Sequence, residues 1–150
     1  MFPTGLLCAE WPGGRRVTTM LDRHREALAS DPENARAFAA LQEHYFLQAE
    51  WPELVAVYRR RLEAASLQAD ATQRVPLLFR LAQVLEDRCL EVEEARDIYW
   101  QVARLDPRHR GALRQLRQIH TRREQWDMVL QIAEIEGQIP MAPYERGVFL

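Results

Sequence analysis

The sequence predicts an all-α protein, a single solenoid built from stacked antiparallel helical hairpins. Two observations carry the prediction. The chain is similar to itself at a spacing of 75 residues: Asp31-Pro32 recurs as Asp106-Pro107, Leu41 as Leu116 and Trp51 as Trp126. The flanks agree, with Ala37-Phe38-Ala39-Ala40-Leu41 answered by Ala112-Leu113-Arg114-Gln115-Leu116, and Glu50-Trp51-Pro52-Glu53-Leu54 by Gln125-Trp126-Asp127-Met128-Val129. Apolar residues also recur at helical spacing in short segments separated by breakers. A long internal period of this kind marks units that cannot bury their apolar face alone and do so by stacking.

Each element follows from that spacing. Over 15–30, Val17, Met20, Leu21, Ala27 and Leu28 outline a helix with no evident partner before it. Asp31-Pro32 ends it and opens the next, because proline suits a first helical turn. That helix runs to about Gln48 on Ala37, Phe38, Leu41, Tyr45 and Phe46; residues 49–52 connect it to a helix reaching about Ala65. Helices joined so briefly must pack antiparallel. Residues 66–74 are polar and Ala-rich, a linker or an early start to the helix carrying Leu77, Leu78, Leu81, Val84 and Leu85. A turn at 88–91 leads to Val92, Ala95, Ile98, Tyr99 and Val102. Asp106-Pro107 then opens a last hairpin on Leu113, Leu116 and Ile119, followed by Trp126, Val129, Leu130 and Ile132, with Gly137 as its stop. The domain reading is one solenoid over 1–150: a partial leading hairpin at 1–30, repeats at 31–66, 67–106 and 107–139, and the start of a truncated repeat at 140–150. Arg146-Gly147-Val148-Phe149-Leu150 parallels Arg74-Val75-Pro76-Leu77-Leu78, so both ends read as cut from a longer array.

Composition excludes several classes. The chain has 150 residues, 47% apolar and 28% charged, with a net charge of −2, so nothing pulls it globally toward nucleic acid or anionic lipid. All 20 basic residues are arginine, spread along the chain, which fits a GC-rich bacterial source better than selection for guanidinium chemistry. Cys8 and Cys89 form no CxxC and read as reduced thiols of a cytoplasmic protein; His24, His44, His109 and His120 form no metal pattern. Leu6-Leu7-Cys8-Ala9 and Arg15-Arg16-Val17 lack the apolar segment of an export signal.

No catalytic constellation is present. Gly13-Gly14 is a lone pair rather than a phosphate loop, and no HExxH or GxSxG occurs. The sequence therefore predicts no enzyme, cofactor or metal. Glu86, Asp87, Glu91, Glu93, Glu94 and Asp97 read as a solvated acidic face. Arg108, Arg110, Arg114, Arg117, Arg122 and Arg123 are its basic counterpart, placed either for phosphate or acidic-peptide contact or, on better odds, for pairing with the acidic stretch.

Together these segments resemble the tetratricopeptide repeat. The second hairpin matches best, through Leu78, Leu81-Ala82, Leu85, Ala95, Tyr99, Ala103 and Asp106-Pro107; the first matches through Phe38, Leu41, Tyr45, Trp51, Tyr58 and Leu62. In the third, His120 takes the aromatic slot and Ala133 stands where Tyr58 does. Trp51-Pro52-Glu53-Leu54 leading into Tyr58-Arg59-Arg60-Arg61-Leu62 is similar to a two-hairpin unit of long bacterial arrays. The resemblance implies a right-handed superhelix and a non-enzymatic scaffold for other proteins. It also implies that substituted small slots face each other, Gln42 against Arg61 and Arg117 against Glu136.

First helices of such arrays line a concave groove for a partner peptide or helix. By that resemblance the partner-binding residues here are Arg36, Glu43, Phe46, Phe79, Arg80, Gln83, Arg114, Gln118 and Arg122, with Phe46 and Phe79 as apolar anchors or as aromatics buried by neighbouring helices. A carboxylate clamp is not expected, because Glu43 and Gln118 hold the asparagine slots and the chain has no lysine. No membrane partner is expected, and the near-neutral charge argues against nucleic acid. A nucleic-acid-associated module using the arginine helix is the runner-up, and self-association through the solenoid ends is the third reading.

Overall fold

In the computed structural model, which describes residues 19–140, the chain is all-α. Among the described residues there are eight helices and no strand: α1 (Met20–Ser30), α2 (Ala35–Leu47), α3 (Trp51–Leu62), α4 (Ala65–Ala69), α5 (Ala71–Asp87), α6 (Val92–Leu105), α7 (Arg110–Arg122) and α8 (Trp126–Gln138). Calls on Cys8, on Gly13-Gly14, on the N-terminal signal-like motifs and on the segment 141–150 fall outside the described residues.

The 75-residue period of the sequence is a period of the structure. Shifting α2 by 75 positions gives the bounds of α7, and α1 and α6 end at corresponding residues. The caps repeat too. Asp31 and Asp106 each accept a hydrogen bond at Oδ1 from the backbone N–H two residues on (2.9 and 3.1 Å). Three residues after each aspartate, Asn34 and His109 cap the next helix, Asn34 Oδ1 accepting from Ala37 N at 2.9 Å and His109 Nδ1 from Ala112 N at 3.0 Å. Each Asp-Pro step thus ends one helix and aims the next, leaving an otherwise orphaned N–H satisfied.

The turns of the outer hairpins are paired in the same way. After α2, Ala49 adopts φ 56°, Ala49 N donates to Phe46 O (3.2 Å) and Glu50 N to Tyr45 O (2.9 Å). After α7, Glu124 adopts φ 57°, with Glu124 N on Thr121 O (3.0 Å) and Gln125 N on His120 O (3.0 Å). Both are Schellman closures with a left-handed residue at the first position beyond the helix cap. The middle turn, 88–91, is one residue longer, with Leu90 at φ 60° and Glu91 N on Leu85 O (2.9 Å).

Several boundaries differ from the sequence reading. The first described helix begins at Met20, capped by Thr19, and the part of the reading over 15–18 lies outside the described residues: Asp22 N donates to Thr19 Oγ1 (3.1 Å) and Thr19 N to Asp22 Oδ2 (3.0 Å), a reciprocal capping box. Trp51 and Pro52 open α3 rather than connecting to it, since the first helical turn has no partner for the N–H that proline lacks. That helix ends at Leu62, short of Ala65. The 66–74 stretch is neither plain linker nor helix start alone: α4 occupies Ala65–Ala69, and Asp70 caps α5, accepting from Thr72 N at 2.9 Å. Gly137 does not stop α8, which runs on to Gln138; the stop is extended Ile139 before Pro140, where proline disfavours the helical conformation.

One continuous core runs along the described helices. Leu41 and Leu116, Ala37 and Ala112, and Val57 and Ile132 are buried pairs 75 apart, with Leu81, Ala82, Ala95, Tyr99 and Val102 between them. Consecutive helices pack in hairpins, and α5 sits against α3 on one side and α6 on the other. Burying such aliphatic side chains contributes about 1.5–3 kcal/mol each relative to leaving them exposed.

Candidate binding clefts

The helix packing leaves two concavities where the sequence reading placed partner-binding residues. The first, about 420 Å³, lies between the α2–α3 hairpin and α5 and is lined by Phe46, Trp51, Tyr58, Arg80, Gln83 and Arg88, among others. Phe46 is 57% exposed at its rim and meets Trp51 edge to face, ring centroids 5.8 Å apart. The Arg88 guanidinium lies over the Trp51 ring, 5.0 Å from its centroid. That stack holds a cation beside an apolar wall. Arg80 is exposed, with no ion pair among the described residues. Burial pushes the Tyr58 phenol up, and the Arg80 charge partly offsets the shift.

The second concavity, about 400 Å³, is formed by Arg117, Gln118, Thr121 and Arg122 of α7 with Val129 of α8. The residues expected to bind together therefore separate. Phe46, Arg80 and Gln83 share the first cleft, and Gln118 and Arg122 the second. Arg36, Glu43 and Arg114 are exposed and line neither cleft. Phe79 is half-buried, its ring 5.7 Å from Tyr99 and 4.7 Å from His109, the buried-aromatic alternative of the sequence reading.

Three of the six arginines of the basic stretch meet carboxylates. Arg122 Nη1 lies 3.6 Å from Glu86 Oε1, Arg123 pairs with Glu93, and Arg117 Nε lies 3.2 Å from Glu136 Oε2. Arg110 donates to the carbonyls of Ile139 (3.1 Å) and Pro140 (3.0 Å). The pairing of acidic stretch and arginine helix is thus what the fold forms. Of the two facing pairs expected in the small slots, Arg117–Glu136 is present. Gln42–Arg61 is not: Arg61 donates instead to Pro32 O (2.6 Å), approaches Glu33 (3.9 Å) and covers the Phe38 ring at 5.9 Å. The loop before α2 offers the guanidinium a carbonyl and a carboxylate, the stronger partners.

Two features escaped sequence reading. Tyr99 is fully buried and donates to Glu86 Oε2 at 3.0 Å, so Glu86 is a buried joint between α5, α6 and α7 rather than part of a solvated face. Burial first, and the Glu86 charge second, push the Tyr99 phenol far above its ordinary range. The Trp51–Arg88 stack joins residues with no sequence signal beyond the exposed edge of two helices. Trp51 and Arg88 also line a cleft of about 660 Å³ that includes Cys89, whose thiol burial pushes up, away from thiolate reactivity. Among the described residues no group of three or more His, Cys, Asp or Glu is placed to hold a metal ion, and no helix is long and apolar enough to cross a membrane.

Comparison with protein-family models finds none that matches this chain, and comparison with curated proteins finds no significant match.

Proposed function

We propose that this chain is a right-handed, tetratricopeptide-like superhelix acting as a non-enzymatic scaffold for other proteins, with the cleft between α2, α3 and α5 as its partner site. The observation that carries the reading is the cleft itself: an exposed aromatic, Phe46, in one lining with Arg80, which forms no ion pair among the described residues, with Asp87, and with Arg88 stacked on Trp51. An aromatic anchor next to a forked cation suits a peptide or helix bearing an apolar side chain and a nearby carboxylate. The repeated hairpins and caps support the superhelical part of the proposal. The engagement of Arg117, Arg122 and Arg123 by carboxylates speaks against the arginine helix as a nucleic-acid surface, since those charges are already countered.

The test is affinity capture from nuclease-treated lysate with mass spectrometry, comparing the wild-type chain with a Phe46→Glu, Arg80→Glu variant of unchanged Tm. Both side chains are exposed, so the variant retains the core. The expected result is a protein held by wild type and lost by the variant, its direct binding then measured with purified components. Equal retention would refute the cleft as the site.

A further inference from the structure

The cleft between the α2–α3 hairpin and α5 holds a polar group that the fold itself does not use. Tyr58 is 4% exposed and forms part of the cleft lining, its ring edge-on to Phe38 with centroids 5.6 Å apart. Among the described residues its hydroxyl has no hydrogen-bond partner. The two other described tyrosines are as deeply buried, and both are satisfied: Tyr45 accepts from Arg25 Nε, and Tyr99 donates to Glu86 Oε2 at 3.0 Å. Buried hydroxyls are ordinarily hydrogen-bonded, so the partner of this one comes from the cleft.

The surroundings narrow what that partner is. Arg80 belongs to the same lining, its charge near enough to act on the Tyr58 phenol, and it forms no ion pair among the described residues. A phenol O–H and a guanidinium both donate, so one group that satisfies them together is an acceptor, best an anionic one. Arg80 and Arg88 against Asp87 leave the lining with one positive charge in excess. A single carboxylate balances that charge, whereas a phosphate dianion overshoots it. Phe46 and Trp51 supply apolar surface beside the pair. Gln42 on α2 and Gln83 on α5 present amides from opposite walls. Amides on both walls suit main chain that runs past on either side of the acidic group, as it does at an internal residue and not at a chain end.

We infer that this cleft reads an internal acidic side chain of an extended partner segment, its carboxylate held between the Tyr58 hydroxyl and the Arg80 guanidinium, with an apolar side chain two residues away on Phe46 and Trp51. Side chains two apart in an extended chain share a face, which sets that spacing. The inference rests on the reading of the cleft as the partner site and specifies what the site recognises.

The probe is the capped peptide acetyl-Ala-Phe-Ala-Glu-Ala-amide, titrated into the full chain and followed by proton–nitrogen correlation NMR. Saturable shifts at Gln42, Arg80 and Gln83 are expected, with a Kd of about 1 mM for so small a ligand. Glutamine in place of the peptide's glutamate should weaken binding at least about tenfold, and Tyr58→Phe in the protein at least about threefold. Tyr58→Phe keeps the ring and removes a hydroxyl with no partner among the described residues, so it should retain the wild-type Tm. Its effect should vanish against the glutamine peptide. Equal affinity for the two peptides, unchanged binding by Tyr58→Phe, or no saturable shift up to about 10 mM peptide overturns the inference. So does tighter binding of an uncapped acetyl-Ala-Phe-Ala acid, or of the peptide with phosphoserine for glutamate, because a chain end or a phosphate would then be the occupant. If any of these results accompanies a partner lost on Phe46→Glu, Arg80→Glu, the cleft stands and only the acidic seat falls. Equal retention in capture beside glutamate-selective binding removes the partner site and leaves the seat.

Discussion

Replacing Ala49 with glycine should stabilise the protein, although glycine ordinarily weakens helical proteins. Ala49 sits at φ 56°, beyond the cap of α2, where its Cβ crowds the following carbonyl. The left-handed conformation costs a non-glycine residue about 1–2 kcal/mol. Glycine removes that cost and adds about 0.4–1 kcal/mol of unfolded-state entropy, leaving a net gain of about 0.5–1 kcal/mol. Ala49 is exposed, so no core packing is lost. The same reasoning covers Glu124 at φ 57° and Leu90 at φ 60°, both exposed. The contrast is Ala39, exposed within α2, where glycine should cost about 1 kcal/mol. Urea titrations of the four single variants measure the difference, with equal m-values required for comparison. If Ala49→Gly and Glu124→Gly fall with Ala39→Gly rather than above wild type, the Schellman turns do not hold these residues left-handed, and the turn geometry that sets the hairpins is wrong.

Three further predictions concern the polar groups. A double-mutant cycle on Arg117 and Glu136, whose side chains are 44% and 20% exposed, should return a coupling of about 0.5–1 kcal/mol, while the cycle on Gln42 and Arg61 should be additive. Coupling in the second cycle, or additivity in the first, refutes these assignments. Stability should also fall with alkali. Tyr99 and Tyr58 hold their protons more tightly folded than unfolded, so their contribution is complete below about pH 10, the unfolded phenol's range, and is lost as pH rises beyond it. Tyr99→Phe should flatten that alkaline limb in chemical denaturation followed by circular dichroism, at the expense of the hydrogen bond to Glu86; an unchanged slope would contradict it. The acid limb has the opposite sign. Hydrogen bonds from Thr19 to Asp22, from Ser66 to Glu33 and from Thr72 to Asp70 hold these carboxyls below their usual range, so their contribution is present above the unfolded carboxyl range and lost as pH falls through the lowered values.

Legibility in the sequence tracked how local the determining physics was. Asp31-Pro32 and Asp106-Pro107 announced their helix boundaries because an aspartate side chain reaches the N–H two residues on and proline favours the first turn, both within a few residues. The core list was readable for the same reason: Leu41, Leu81, Leu116 and Ile132 mark one face of a helix whatever that face meets. Boundaries decided by competition were misread. Gly137 looked like a stop, but its backbone stays helical and Ile139 before Pro140 ends α8 instead. The short α4 was invisible because five residues carry too few apolar positions for a period; Leu67, its buried anchor, was the sole signal.

Of the candidate site, the sequence supplied residue types and helices but not their grouping. Phe46, Arg80 and Gln83 meet, while Phe79, one residue from Arg80, turns toward Tyr99 and His109, because adjacent helical positions point about 100° apart. Partner choice among charges was readable only in part: Arg117–Glu136 was expected, whereas the partners of Arg61 were not. Arg61 has Gln42, Pro32 O and Glu33 within a plausible span, and loop geometry alone selected the last two. By itself the sequence determined the longer helices, their 75-residue period and the apolar face of each, since these depend on short-range sterics and hydrogen bonding. Tertiary structure alone decided that Glu86 is buried, that Arg61 turns to the preceding loop, and that Val55 on α3 is buried while Leu130, its counterpart on α8, is exposed. Those outcomes depend on the distance and angle between helices far apart in the chain, which no spacing of residues encodes.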